Sequence, residues 1–351
     1  MKKIKAIILG NELKDDHLLW QKACDDFNDQ IIYRNVDLTK NSWLEEIQSQ
    51  SFDILLAKPS GLTAQFKQLY DERVYILNKI LGYRIYPSTD EIFLYENKRF
   101  LSFWLKANNI PHPITDVFYN QKDALDYLST QCFPIVGKVN IGASGSGVSI
   151  LKDREIAISY IYETFSGKGA ARRSGPNLKA GGLFKRGLHY FVYPRDIMKK
   201  FNIYKTIKSN PQTDFVIFQE YIPHDFEWRV VRIGDSFFAH KKFKNGDKAS
   251  GSLLKGYENP TFELLDFVKG LTDIHKFQSQ AVDLFESKRG YLVNEMQCLF
   301  GQSDPYQMLI NGKEGRYQHT GGSWLFEEGR FNKNQCYNLR VEHVIQEFSN
   351  I

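Results

Sequence analysis

Three short runs of the sequence hold residues whose types and spacing suit phosphate and metal chemistry. In the first, the strand-like Pro134-Ile135-Val136-Gly137-Lys138 ends on a lysine and opens into Asn140-Ile141-Gly142-Ala143-Ser144-Gly145-Ser146-Gly147-Val148. Glycine admits positive φ and carries no side chain, so the backbone N–H groups of such a loop can close on phosphate oxygens. A generic glycine-rich hairpin has the same composition. The sequence contains neither G-x-x-x-x-G-K-[ST] nor a G-x-G-x-x-G opening a helix after the first strand, so neither common nucleotide fingerprint applies.

The second run, Val216-Ile217-Phe218-Gln219-Glu220-Tyr221-Ile222, is rich in β-formers and ends in polar residues. It gives way to His224-Asp225-Phe226-Glu227-Trp228-Arg229-Val230-Val231-Arg232-Ile233-Gly234-Asp235, so two strands joined by a turn are predicted. Backbone groups at the end of the first strand can read an adenine edge while a nearby carboxylate holds ribose hydroxyls. An ordinary antiparallel pair would look the same. The third run sets Ala281-Val282-Asp283 against Tyr291-Leu292-Val293-Asn294-Glu295-Met296-Gln297, with a turn at Gly290. Strand alternation puts Glu295 and Gln297 on one face. With Asp283 on the neighbouring strand, that face offers hard oxygen ligands suited to Mg²⁺ bridging nucleotide phosphates; solvated edge carboxylates are the plainer account.

The elements that must position these runs follow from hydrophobic periodicity. Residues 4–9, 31–36 and 53–57 read as strands, 16–27 as an amphipathic helix, and 63–81 as a second helix closed by Gly82 before a short strand at 83–86. This alternation predicts parallel strands covered by helices. Pro87-Ser88-Thr89-Asp90 marks a boundary before a helix over 91–107. Ile110-Pro111-His112-Pro113 is then a rigid link to a strand at 115–118, a helix over 121–129 and the strand 135–138. The fold class is α/β, with α+β character in the later lobes.

At 351 residues the chain suggests about two compact units. Its 42% hydrophobic and 25% charged residues exclude disorder and coiled coil. No apolar run approaches the ~20 residues that cross a bilayer, and the N-terminus lacks a signal-peptide core, so a cytoplasmic protein is expected. Cys24, Cys132, Cys298 and Cys336 lie far apart, which indicates neither a zinc site nor a disulfide framework. A net charge of +5 does not imply nucleic acid. The charge is nevertheless concentrated: Arg172, Arg173, Lys179, Lys185, Arg186, Arg195, Lys199, Lys200 and Lys205 lie between Lys168 and Lys208, against Asp196 alone. Such a stretch can clamp an anionic acceptor or serve as a solvated insertion.

Taken in order, these features resemble the ATP-grasp superfamily. They are a lysine before a helix (Lys98), a lysine before a glycine-rich loop (Lys138), a Gln-Glu-Tyr-Ile strand end, an acid-x-Arg strand, and Asp283 followed by Glu295-x-Gln297. The order is most similar to the branch containing glutathione synthetases, D-alanine ligases and peptide-tail glutamate ligases. The match runs from about Lys98 to Gln297. The resemblance implies a pre-ATP-grasp α/β domain at 1–90, an N-terminal ATP-grasp lobe at 91–215 with the basic insertion at about 166–208, and a C-terminal lobe at 216–351.

The resemblance also implies roles. Lys98 and Lys138 would neutralise ATP phosphates, with residues 142–147 (Gly142, Ser144, Gly145, Ser146 and Gly147 among them) closing over them. Gln219 and Glu220 with the Tyr221–Ile222 backbone would take adenine, and Glu227, or else Asp225, would lie near the ribose or the substrate. Arg229 would stabilise the transferred phosphoryl group, and Asp283, Glu295 and Gln297 would hold magnesium, with manganese as the alternative ion. Lys241 and Lys242, after a strand at 236–239, would face an acyl-phosphate, and Ser250-Gly251-Ser252 would form a substrate loop. His224 and His240 flank the cleft. Two features depart from the family: Glu295-Met296-Gln297 replaces its Glu-x-Asn, and the stretch between Gly147 and Gln219 is long.

The implied activity is an ATP- and Mg²⁺-dependent carboxylate–amine ligase acting through an acyl-phosphate, with a small-molecule, glycan or peptide substrate pair and a homo-oligomeric assembly. An ATP-grasp-type kinase and a non-catalytic ATP-binding regulator are the alternatives.

Overall fold

The computed structural model of the chain describes residues 2–142, 146–170, 194–245, 248–249, 254–302 and 304–349. Ser144, Gly145, the substrate loop expected at 250–252 and the core of the basic stretch, 171–193, lie outside the described residues.

Three sheets carry the architecture. The first is parallel, ordered β2 (Ile31–Asp37), β1 (Ile4–Gly10), β3 (Ile54–Ala57), β4 (Ile85–Tyr86). Its inner strands β1 and β3 are nearly continuous apolar runs because helices cover both faces, whereas the edge strand β2 exposes Ile32, Arg34 and Asn35. Trp20 on α1 (Leu18–Asp26), Ile47 on α2 (Trp43–Gln48) and Tyr70 and Val74 on α3 (Ala64–Tyr75) are buried against it. The second sheet is antiparallel, ordered β5 (Thr115–Phe118), β8 (Val216–Glu220), β6 (Ile135–Lys138), β7 (Val148–Leu151). One face packs Ile135 and Phe218 onto Ala124 of α6 (Gln121–Tyr127) and Ala157, Tyr160 and Ile161 of α7 (Arg154–Phe165). Strand alternation leaves Lys138, Ile217 and Gln219 on the other face.

The third and largest sheet runs β14 (Gly290–Gln297), β13 (Ser279–Ser287), β9 (Phe226–Ile233), β10 (Ser236–Asn245), β16 (Lys313–Thr320), β15 (Leu309–Ile310). The short strands β11 (Lys248–Ala249) and β12 (Lys255–Gly256) also pair with β10. Its apolar back, with Val230, Val282 and Met296, joins a core with Leu264, Leu265 and Val268 of the helix Phe262–Ile274. The polar front faces the small sheet. Lys138 Nζ bridges the two, donating to Asn294 Oδ1 at 2.8 Å.

Two expectations are corrected. The single helix expected over 91–107 is two, α4 (Thr89–Leu94) and α5 (Lys98–Ala107). Ser88 and Glu91 form a capping box on the first, and Asn97 caps the second by accepting from Phe100 N, after a left-handed Glu96 (φ 48°). The break sets Lys98 at the first residue of α5. The strand expected over 236–239 runs on to Asn245, so Lys241 and Lys242 alternate within a strand instead of following one.

Candidate functional site

Strand register builds the site. Glu295 pairs with Asp283, Asp283 with Arg229 and Arg229 with His240, so four side chains from β14, β13, β9 and β10 form one row on the front of the large sheet. One step along, Glu227 pairs with Lys242 and Lys242 with Lys255. Arg229 grips Asp283 with two bonds, Nε to Oδ1 at 2.7 Å and Nη2 to Oδ2 at 2.9 Å. Lys242 Nζ lies between Asp283 Oδ2 (2.6 Å) and Glu227 Oε2 (3.0 Å). Burial works against the charged form of Asp283, but Arg229 and Lys242 outweigh it and hold its carboxyl well below the usual range. Burial likewise opposes the charge on Lys242, and Asp283 and Glu227 raise its pKa regardless.

A β-bulge supplies a residue that sequence reading missed. The register slips between Asp283 and Leu284, leaving Asn294 unpaired between Glu295 and Val293. Two consecutive residues therefore turn to the front. Asn294 accepts from Lys138 and donates to Glu227 Oε1 at 3.2 Å, tying the lobes together.

Lys138 enters from the small sheet and Lys98 from the start of α5, whose Leu101 and Leu105 join the core of the large sheet. Asn140 holds the start of α5, accepting from Lys98 N through its carbonyl (3.3 Å) and from Arg99 N through Oδ1 (2.8 Å), two amides a helix cannot satisfy internally. Lys98 Nζ donates to Gly142 O at 3.0 Å and pairs with Glu295 at 3.2 Å. Burial raises and Lys98 lowers the Glu295 pKa; with help from Lys242 and Lys138 the cations prevail. Lys138 is driven down to about 8, chiefly by burial and partly by Lys98, with Glu295 resisting. A phosphate favours the charged ammonium, so nucleotide affinity is expected to fall as pH rises through about 8. Lys138→Ala is expected to bind ADP more weakly and to lose that pH dependence, which calorimetry from pH 6.5 to 9.5 checks.

The glycine-rich loop is braced at both described ends. Gln212 clasps Ile141, accepting from its N–H and donating to its carbonyl, both at 2.8 Å. A Cβ on Gly147 would fall 1.9 Å from Val139 Cγ2, so no larger residue fits. Gly142 and Ser146 are the other described loop positions among those singled out.

Several expected roles are revised. Lys241 points to the back of the sheet, because alternation places it beside Trp228; its ammonium sits over the Phe226 ring (4.1 Å to the centroid) and pairs with Glu258. Lys242 is the cation on the site face. Lys242→Ala is accordingly expected to cut turnover about 100-fold, the scale of a lost charge-stabilising donor. Lys241→Ala should change it less than about twofold, as for a residue outside the site; ADP release by both variants is the check. The Glu220 carboxylate turns to Arg289 (2.6 Å) and Ile114 N (2.9 Å), bracing the small sheet and not facing a base. Gln219 donates to Thr115 Oγ1 at 3.0 Å. Ile222 remains on the cleft side, forming an apolar cluster with Phe285 and Leu292. Asp225 accepts from Lys244 N through its backbone carbonyl.

Two histidines differ in placement. His224 Nδ1 meets the Ile222 carbonyl at 2.6 Å. His240 Nδ1 meets the Gln307 carbonyl at 3.0 Å; a carbonyl only accepts, so Nδ1 carries the proton and Nε2 the lone pair. Burial, then Arg229, Lys255 and Lys242, push the His240 pKa down to about 3. It is a neutral acceptor and not a proton store.

The metal-ligand set fits magnesium in donor type. Glu295 and Gln297 share the front face, and Gln297 Nε2 lies 3.3 Å from Glu295 Oε1. Both Asp283 oxygens already accept from cations, one bond at Oδ1 and two at Oδ2, so a metal bound by Asp283 would share its carboxylate with Arg229 and Lys242. Among the described residues no group of three or more His, Cys, Asp or Glu side chains forms a metal cage.

The two lobes facing each other across this cleft, behind a parallel α/β unit, define an ATP-grasp fold. Among solved structures, the D-alanine–D-alanine ligase of Bacillus anthracis complexed with ATP superposes with a TM-score of 0.54 at 14% identity, over 99% of this chain and 97% of that one. The N5-carboxyaminoimidazole synthetase of Staphylococcus aureus complexed with ADP gives 0.54 at 11% identity, over 98% and 78%. The N5-carboxyaminoimidazole ribonucleotide synthetase of Thermotoga maritima gives 0.52 at 12%, over 98% and 76%. No protein-family model and no curated protein matches the sequence. At these identities the likeness is one of fold. No helix among the described residues is long and apolar enough to cross a membrane.

Proposed function

We propose that the protein is an ATP-dependent ligase that joins a carboxylate to an amine through an acyl-phosphate. The observation that carries this reading is the meeting of Lys98, Lys138, Arg229 and Lys242 with Glu295, Asp283 and Glu227 in one cleft between two lobes. Four cations converging on one cleft suit a polyphosphate. Lys98 and Lys138 bind and neutralise phosphate oxygens. Arg229, held rigid by Asp283, faces the charge that develops on the transferred phosphoryl group. Ile222, Phe285 and Leu292 offer the base an apolar shelf. Glu295 and Gln297 would hold magnesium, which would supply charge neutralisation at the phosphates.

The substrate carboxylate oxygen forms a bond to the γ-phosphorus as the bond to the ADP oxygen breaks. The amine nitrogen then attacks the acyl carbon, phosphate leaves, and the nitrogen loses a proton. Positioning and charge neutralisation carry the first step, without a covalent enzyme intermediate. The units 1–90, 91–215 and 216–351 would be the co-substrate-binding domain and the two nucleotide-binding lobes. The cationic stretch 168–208 supports an anionic acceptor, such as an acidic glycan or peptide.

The test is magnesium-dependent ADP release across pools of carboxylates with hydroxylamine present. Hydroxamate formed only with ATP and one carboxylate supports the ligase. ADP without hydroxamate replaces it with a kinase reading; bound ATP without any turnover favours a regulator.

A further inference from the structure

Glu96 has no role in the reading above, yet four segments converge on it. It sits between α4 and α5 with φ 48°, a backbone conformation costly for a glutamate, and is 4% exposed. Its Oε2 accepts from Gly142 N at 3.0 Å, at the base of the glycine-rich loop. Its Oε1 accepts from Gln297 Nε2 at 3.2 Å, and Lys98 Nζ lies 3.9 Å away. A Cβ on Gly61, in the loop after β3, would approach Glu96 Cγ to 3.0 Å, so the parallel domain packs directly on it.

We propose that Glu96 is a positioning residue that orients the Gln297 amide for the metal and fixes the start of the glycine-rich loop; this rests on the ligase reading of the same cleft. An amide has one donor end and one acceptor end. With Nε2 drawn to Glu96 and Glu295, Oε1 is the end left for a cation. Glutamine has one more rotatable bond than asparagine, so this chain's Gln297 needs an outer partner to hold its amide. The left-handed turn at Glu96 delivers that partner. The same carboxylate stays beside Lys98 when Glu295 turns to a metal, so the lysine keeps a counter-charge.

The test is Mn²⁺ affinity in the presence of ADP, read by paramagnetic resonance, with hydrogen exchange at the Gly142 amide. Glu96→Gln is expected to weaken Mn²⁺ about 10-fold or more, the usual cost of losing an outer partner, and to speed Gly142 exchange. In a Gln297→Asn background, whose shorter amide cannot reach Glu96, the same change should cost much less. Equal loss in both backgrounds, or none in either, would overturn the inference while leaving the ligase reading intact. Absence of Mn²⁺–ADP binding by the parent protein would remove both. Should Glu96→Gln not fold, Glu96→Asp keeps the charge but not the reach, and the same losses are expected of it; parent-like affinity and exchange would overturn the proposal.

Discussion

Glu295→Ala is expected to abolish magnesium-dependent ATP turnover while the protein stays folded. Glu295 shares a row with Asp283 and Arg229 and meets Lys98 (3.2 Å) and the Gln297 amide (3.3 Å), so its loss removes a carboxylate around which metal and phosphate charge would be balanced. The fold should tolerate the change. Lys98 keeps the Gly142 carbonyl and Glu96 as partners, and Glu295 lies at the cleft edge and fills no core volume. The stability loss should be about 1 kcal/mol, the scale of one hydrogen bond. ADP release and thermal melting, run on the same preparation, check both halves; parent-like turnover contradicts the metal assignment.

Asp283→Ala should show the opposite balance, with stability lost as well as activity. Asp283 is 1% exposed and accepts three charge-assisted bonds, two from Arg229 and one from Lys242. Removing it leaves a guanidinium and an ammonium buried side by side, with Glu227 as the remaining acid bonded to Lys242. Breaking a buried pair in this way costs about 3–5 kcal/mol. The expected result is a large fall in the urea midpoint, with Asp283→Asn intermediate because its amide oxygen can still accept. A fall of less than about 1 kcal/mol would mean the network is solvated and Arg229 is not held as described.

These contrasts show where the sequence was legible. Period-two alternation was enough to place Glu295 and Gln297 on one face with Asp283 beside them, because Met296 between them is apolar and faces the core. Lys138 and Arg229 were legible from their places at a strand end and in an acid-x-Arg strand, whereas Lys98 stood out by resemblance alone, inside a helix read over 91–107. The choice between Lys241 and Lys242 was not, since it turns on how far β10 extends, and Lys-Lys-Phe-Lys-Asn reads as a loop by composition. Pairing with β9 overrides that local preference. Asn294 could not be found by alternation, because a bulge changes the phase of the strand and has no side-chain signature of its own. Glu96 was hidden inside a helix read straight through; Asn97, a good N-cap residue just before Lys98, was the signal that the helix restarts there. Gln212 joins Ile141 across a long stretch of chain, and nothing local marks such a contact.

The revised glutamate has the same lesson in reverse. Glu220 lies in the run that reads as a nucleotide-binding strand end, but Arg289 at the β13–β14 turn captures its carboxylate. What remains for a base there is backbone and the Ile222 cluster. Specificity for the base would then come from main-chain groups and shape, not from an acidic side chain.

The proposed reaction turns on one chemical event, the direct transfer of the terminal phosphoryl group to a carboxylate oxygen. With the carboxylate that hydroxylamine trapping identifies, labelled with oxygen-18 and incubated with ATP, magnesium and the amine, one label atom should appear in inorganic phosphate for each amide formed. Label retained wholly in the carbon-containing products and water, with phosphate unlabelled, would contradict the acyl-phosphate route and the roles assigned to Arg229, Lys138 and Glu295 in it.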